Sequence, residues 1–168
     1  DIVENTRQAY QAARAFGSFQ DLVSDLPADE LEETIPDFHH TRKRYRRLMQ
    51  VAESDPCGRA GSVAAELEFV RRQEGEVDRV LHGLASGEIP QRITHNDTKI
   101  NNVMIDEETD EAVCVIDLDT VMPGSVLYDF GDLVRTAVSP AAEDARDLSK
   151  VALRMPLFDA LVAGCLDS

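Results

Sequence analysis

Between His95 and Asp132 the chain gathers the residue types that phosphoryl transfer from ATP requires. That reaction asks for little covalent chemistry. It needs a carboxylate to orient the acceptor hydroxyl and take its proton, and divalent metal to bridge the phosphates. In His95-Asn-Asp97-Thr-Lys99-Ile-Asn-Asn102, Asp97 is the candidate base. Asn102, five residues on, can turn its amide oxygen back toward the same pocket, where Asp117 of Ile116-Asp117-Leu-Asp119 would meet it. Oxygen ligands of this kind suit Mg²⁺, which keeps several waters and is shared with substrate phosphates. Lys99, two residues after the base, is placed to touch the transferring phosphate.

Those residues need elements to hold them. Val103-Met-Ile-Asp and Ala112-Val-Cys-Val-Ile-Asp read as two strands, with the polar Glu107–Glu111 stretch as their hairpin turn. Ile89 to His95 is short and extended, and Tyr128 to Val138 and Asp144 to the C-terminus read as helices. Upstream, Tyr10, Ala13, Phe16, Gly17, Phe19, Gln20 and Val23 follow the three–four spacing of one helix face over Glu4 to Leu26. Pro27-Ala-Asp-Glu-Leu is a short acidic helix start. Thr41 to Glu53 and Ser62 to about Ala85 are further helices, the second a long one. The basic run Arg42-Lys43-Arg44 with Arg46-Arg47 reads as a solvated face pairing with acidic neighbours. The expected fold is α+β and mainly α, a helical part over 1–86 and a chemical part over 87–168 with a small β-hairpin at its working end.

The composite of Thr94-His-Asn-Asp-Thr-Lys-Ile-Asn-Asn102, Val115-Ile-Asp-Leu-Asp-Thr-Val-Met-Pro-Gly124 and Tyr128-Asp-Phe-Gly-Asp132 resembles the aminoglycoside phosphotransferase and protein-kinase-like superfamily. Within it, the likeness is closest to the N-acetylhexosamine 1-kinases. Arg14-Ala-Phe-Gly-Ser-Phe-Gln20 and Ile35-Pro-Asp-Phe-His39 resemble that group too, so the similarity spans most of the chain. The resemblance implies that Asp97 is the catalytic base and that Asn102 and Asp117 bind metal. It implies that His95 supports the loop, and that Asp119 is a ligand or a substrate contact. Mg²⁺ and ATP are the implied cofactor and phosphoryl donor. The implied acceptor is a small sugar, through the anomeric hydroxyl of an N-acetylhexosamine.

Asp129-Phe-Gly131 spells the protein-kinase metal motif but lies 27 residues after Asn102, beyond a polar loop. Asp117 lies 15 after Asn102 and ends the hairpin strand. Asp117 is therefore read as the metal ligand, and Asp129 as an anchor of the catalytic loop through hydrogen bonds. Only ten residues, Leu118 to Leu127, precede the next helix, too few for the activation segment of a protein kinase. Position 96 is Asn rather than Arg, so the usual partner of an activation-loop phosphate is missing. A small-molecule acceptor fits better. His39, His40 and Thr41 are read as surface or capping residues before acceptor contacts.

With 32 Asp+Glu against 17 Lys+Arg the net charge is −15, so no basic face for nucleic acid or an anionic membrane can be assembled. At 43% hydrophobic residues the chain has enough for a core. Its most apolar run, Val151 to Leu166, is broken by Arg154, Pro156 and Asp159, which excludes a membrane span there. No signal peptide is visible, and three cysteines without Cys-x-x-Cys spacing suit a reduced, cytoplasmic setting. Cys114, inside Val-Cys-Val-Ile, is expected to be a buried apolar residue. The oligomeric state is not legible.

Two rival readings accompany this one. Val113-Cys-Val-Ile-Asp117-Leu-Asp119-Thr-Val121 also fits the haloacid-dehalogenase pattern, with Asp117 as nucleophile. That fold needs further βα units, and only 47 residues follow Val121. The other rival is a non-catalytic scaffold. No Gly-x-Gly-x-x-Gly occurs, and the lysines are Lys43, Lys99 and Lys150, none in a Val-Ala-Ile-Lys-like strand. With no initiator Met, the expectation is a partial C-terminal lobe lacking its N-terminal nucleotide lobe, inactive alone.

Overall fold

Helix α1 (Thr6–Leu22) opens on Asn5, whose side-chain oxygen accepts the N–H of Gln8 at 2.9 Å. This is the preferred way to satisfy the first free donors of a helix. In this computed structural model, which describes residues 3–141, 145 and 147–168, three more helices follow: α2 (Thr41–Ser54), α3 (Ala64–Arg72) and α4 (Arg79–Ser86). Then come β1 (Arg92–Thr94), β2 (Val103–Ile105), β3 (Ala112–Val115) and β4 (Met122–Gly124), and finally α5 (Val126–Ala137) and α6 (Met155–Leu166). The fold is α+β and mainly helical. Contacts divide it into two compact units, one of residues up to 34 together with 91 onward, the other of residues 35–90.

In the first unit, Ala9, Ala12, Ala13 and Phe16 form the buried face of α1. They pack with Val103, Leu133, Ala137, Leu157 and Leu161 from β2, α5 and α6. Small residues let α1 and α6 approach closely: a Cβ on Gly164 would lie 2.3 Å from the Tyr10 carbonyl oxygen and 3.0 Å from the Ala13 Cβ. α5 ends on Arg154, whose guanidinium donates to the carbonyls of Ala137, Val138 and Ser139, groups a helix terminus leaves unpaired. Pro156 then starts α6, in the first-turn position where its missing N–H costs nothing.

The β2–β3 hairpin pairs Val103 with Val115 and is closed by Asp106, whose Oδ1 accepts the N–H groups of Glu108 and Thr109. These bonds, the backbone N–H of Thr109 foremost, hold the Asp106 carboxyl below the usual carboxylate range. Asp110, left-handed at φ 56°, accepts from Gln8 and Asn5 and ties the hairpin turn to the start of α1. β1 and β4 form a second antiparallel pair, Ile93 opposite Pro123.

Several sequence expectations are corrected. The ten residues from Leu118 to Leu127, expected to separate Asp117 from a helix at Tyr128, contain a 3-10 turn and strand β4, and the helix already begins at Val126. Cys114 is exposed: the sheet has two strands, its register shifts between Met104 and Ile105, and Val113 and Cys114 are left on the open side. The C-terminal helix begins at Met155, after a 3-10 turn at Leu148–Lys150, and not near Asp144, which lies outside the described residues.

In the second unit, the long helix expected over 62–85 is broken. A 3-10 turn precedes α3 and another (Glu74–Glu76) separates it from α4. Gly75 weakens helix propagation there. Arg42 claims the Glu74 carbonyl oxygen, binds the Glu74 carboxylate at 2.8 Å and forks onto Asp78 at 2.6 and 2.9 Å. That pairing raises the Arg42 pKa and lowers that of Asp78. His40 caps α2 through its Nδ1, which accepts from the Lys43 N–H. The run at 42–44 pairs as a surface does, Lys43 with Asp37 at 2.6 Å. No helix among the described residues is long and apolar enough to cross a membrane.

Candidate active site

The loop between β1 and β2 carries the residues singled out by spacing. His95 is fully buried, edge-on to Phe16 and Phe19 of α1 at ring distances of 5.3 and 5.8 Å. Its Nδ1 lies 3.3 Å from the Asp97 N–H and its Nε2 3.0 Å from the Ile116 carbonyl oxygen. The first contact makes Nδ1 an acceptor, so the ring proton sits on Nε2 and is donated to Ile116. Both ring nitrogens are thereby occupied in holding backbone.

Asp97 follows. Its Oδ2 takes the Lys99 ammonium at 2.8 Å and the Asn102 amide at 3.0 Å. The same amide donates to the Asp97 carbonyl at 2.7 Å. Partial burial pushes the Asp97 carboxyl up, but the Lys99 and Asn102 bonds together outweigh it and hold it below the usual carboxylate range. Oδ1 receives no hydrogen bond from the described residues, and the side chain is 26% exposed. One carboxylate oxygen is thus fixed and the other left open.

Asn102 is buried, and its amide hydrogens go to Asp97. Its backbone carbonyl accepts the N–H of Ile116 at 2.9 Å, which brings the end of β3, and so Asp117, beside the loop. Asp117 adopts the left-handed conformation, φ 63° and ψ 61°, and is exposed at the head of a 3-10 turn. Asp119 is exposed in that turn. Neither carboxylate takes part in a hydrogen bond or ion pair among the described residues. As a test of the donor set, Asn102 Oδ1 and the Asp117 carboxylate are oxygen donors without N–H partners. They fit a hard cation that fills most of its shell with water and phosphate. Among the described residues no group of three or more His, Cys, Asp or Glu that could hold a metal ion is gathered.

Asp129, from α5, lies beneath the loop and is buried. Its carboxylate accepts the N–H of His95 at 3.0 Å and of Asn96 at 2.8 Å, and Gln20 of α1 donates to it at 2.8 Å. Its backbone carbonyl accepts the Thr98 hydroxyl. Burial pushes this carboxyl up, opposed by the N–H groups of Asn96 and His95 and by Gln20. The structure therefore brings His95, Asp97, Lys99, Asn102 and Asp129 into one hydrogen-bonded cluster, with Asp117 at its edge and Asp119 outside it.

Three contributors escape a reading by spacing. Gln20 is visible only as a polar residue on the apolar face of α1. Thr120 donates its hydroxyl to the His95 carbonyl at 2.7 Å. Asn96, noticed in the sequence only as the residue standing in place of Arg, is buried in the same network. Residues 2–158 match the phosphotransferase enzyme family, abbreviated APH.

Proposed function

Because this chain belongs to the phosphotransferase enzyme family, we propose that it carries the transfer machinery of an ATP-dependent small-molecule kinase in which Asp97 is the base. The observation that supports this most is the division of labour on that carboxylate. Lys99 and Asn102 fix Oδ2, and Oδ1 stays open to an acceptor hydroxyl. In the transfer, the acceptor O–H proton passes to Asp97 Oδ1 as the acceptor oxygen bonds to the γ-phosphorus. The bond from that phosphorus to the β,γ-bridging oxygen breaks, and ADP leaves.

Asn102 Oδ1 and Asp117 would hold Mg²⁺, which when bound neutralises phosphate charge. Lys99 contacts the transferring phosphate while keeping Asp97 ionised. Asp129 and His95 hold the loop still. Asp119 is the weaker candidate for the metal or the acceptor. A base of this kind contributes about 10²–10⁴-fold to the rate.

The acceptor proposed is a sugar alcohol group, the anomeric hydroxyl of an N-acetylhexosamine, supported by the sequence likeness over Thr94–Asn102, Val115–Gly124 and Tyr128–Asp132. The nucleophilic-aspartate alternative finds no support in the fold. Both sheets among the described residues are two-stranded and antiparallel, and Asp117 is followed by a turn and a strand rather than by βα units.

The test is phosphorus NMR of the full-length protein with Mg-ATP and each N-acetylhexosamine, beside Asp97→Asn. A sugar-1-phosphate signal that the variant loses, with ATP affinity kept, is the expected result. ATP-dependent product from another alcohol only would discard the sugar. Full activity in the variant would discard the base.

A further inference from the structure

We infer that Asn96 is a positioning residue that locks the Asp97 loop to the segment bearing Asp117. This rests on the reading of Asp97 as base. Asn96 is 3% exposed and sits at φ 66°, a left-handed conformation that Asn tolerates better than most residues. Its amide hydrogens are shared among three carbonyl oxygens: Thr94 at 3.1 Å, Thr120 at 3.1 Å and Met122 at 3.2 Å. Its Oδ1 accepts the Thr94 hydroxyl at 3.0 Å. One side chain therefore closes β1, the 3-10 turn after Asp117, and β4 onto each other.

Neighbouring groups complete the clip. Thr120 returns a hydrogen bond to the His95 carbonyl, His95 reaches the Ile116 carbonyl, and Ile116 binds Asn102. Apart from the two bonds between Asn96 and Thr94, these bonds cross between residues 94–102 and 116–122, the two stretches that contain Asp97 and Asp117. Gly124 independently shows how tightly the clip is packed. A Cβ there would stand 2.2 Å from Thr94 Oγ1 and 2.6 Å from Asn96 Oδ1. A carboxylate at position 96 would face three carbonyl oxygens with nothing to donate, and an Arg would not fit the space.

The experiment compares Asn96→Gly and Asn96→Asp with the parent full-length protein by amide hydrogen exchange and steady-state kinetics. Glycine accepts the backbone angle without strain, and Asp keeps the outline while removing the donors. Both variants are expected to exchange faster at Asp97, Asn102 and Ile116 while amides of α1 and α5 stay protected. They should also lose about tenfold or more in kcat, with the KM for ATP within about twofold, as misplacing a reacting group does. Combined with Thr120→Val, the losses should be less than additive, since both residues serve one clip. Unchanged exchange, a loss of protection spread evenly over the unit, or parental kcat in both variants overturns the inference. If the parent transfers no phosphoryl group to any acceptor, the proposed function fails, and the exchange pattern alone still decides whether Asn96 holds the two segments together.

Discussion

Asn102 grips Asp97 twice with one amide, at 2.7 Å to the backbone carbonyl and 3.0 Å to Oδ2. A residue that both shapes the loop and steadies its carboxylate cannot be replaced by a like-sized acid. In Asn102→Asp an oxygen ligand survives, but both donors vanish and a second negative charge lands beside Oδ2. Turnover is expected to fall on the order of 10²-fold, with the dependence on Mg²⁺ concentration still measurable. Single-turnover kinetics across a Mg²⁺ titration would show this, and parental turnover would remove Asn102 from the site.

Lys99 governs the charge state of Asp97. Burial alone would raise the carboxyl, and the Lys99 and Asn102 bonds reverse it. A carboxylate held below its ordinary value stabilises the fold at pH above that ordinary value, and the benefit is lost as pH falls through the lowered one. With Asp97 as the proposed base, the acid limb of kcat/KM, which reports the ligand-free protein, should accordingly lie below the usual carboxylate range. Lys99→Met leaves burial less opposed, so the limb should move upward, alongside weaker phosphate contact. A pH profile of kcat/KM reads the shift, and a limb that does not move would mean that Lys99 does not set the ionisation of Asp97 in the free protein.

Asp129 has the opposite sign. Its carboxyl is raised by burial, so the ionised form costs stability that is recovered as pH falls through the raised value. Yet its oxygens serve the N–H groups of His95 and Asn96, and Asp129→Asn would turn an amide hydrogen toward one of them. Leaving a buried donor unpaired costs about 1–3 kcal/mol, which lowers the melting temperature by roughly 2–12 °C in a chain of this size. Thermal unfolding followed by circular dichroism measures it. A variant as stable as the parent would show that the loop does not depend on this carboxylate.

The hairpin and the helices at 6–22, 41–54 and 126–137 are legible because each is specified locally, by strand-like apolar runs around a polar turn or by the spacing of apolar residues on one helix face. The caps Asn5 and Ser125 come from the structure. The reach of Asn102 to Asp97 is local too, and five residues of separation suffice to suggest it. What escapes a linear reading is fixed at a distance. Gln20 meets Asp129 across 109 residues of sequence. Strand β4 is three residues, two of them Pro123 and Gly124, poor strand formers that pair with β1 around the buried Asn96. The break near Gly75 answers to Arg42, more than thirty residues earlier, and the exposure of Cys114 answers to a bulge. The compact unit at 35–90 ends close to the change of texture at Gly87, whereas its start at Ile35 carries no such signal: residues up to 34 join those from 91 onward because α1 packs with α6 and the hairpin.

Arg42 offers a test confined to residues 35–90. Its side chain is 18% exposed and spreads a planar fork over Asp78 and Glu74 while Tyr45 binds the second Glu74 oxygen at 3.1 Å. A lysine keeps the charge but cannot present two parallel N–H groups to Asp78 and a third to Glu74. Removing the fork leaves two carboxylates facing each other without their shared partner. Arg42→Lys should therefore lose most of what Arg42→Ala loses, with faster amide exchange at 73–79, where short turns are tied to α2 through Glu74 and Asp78. If Arg42→Lys exchanged like the parent while Arg42→Ala did not, charge alone would organise the turn, and the geometry of the fork would not matter.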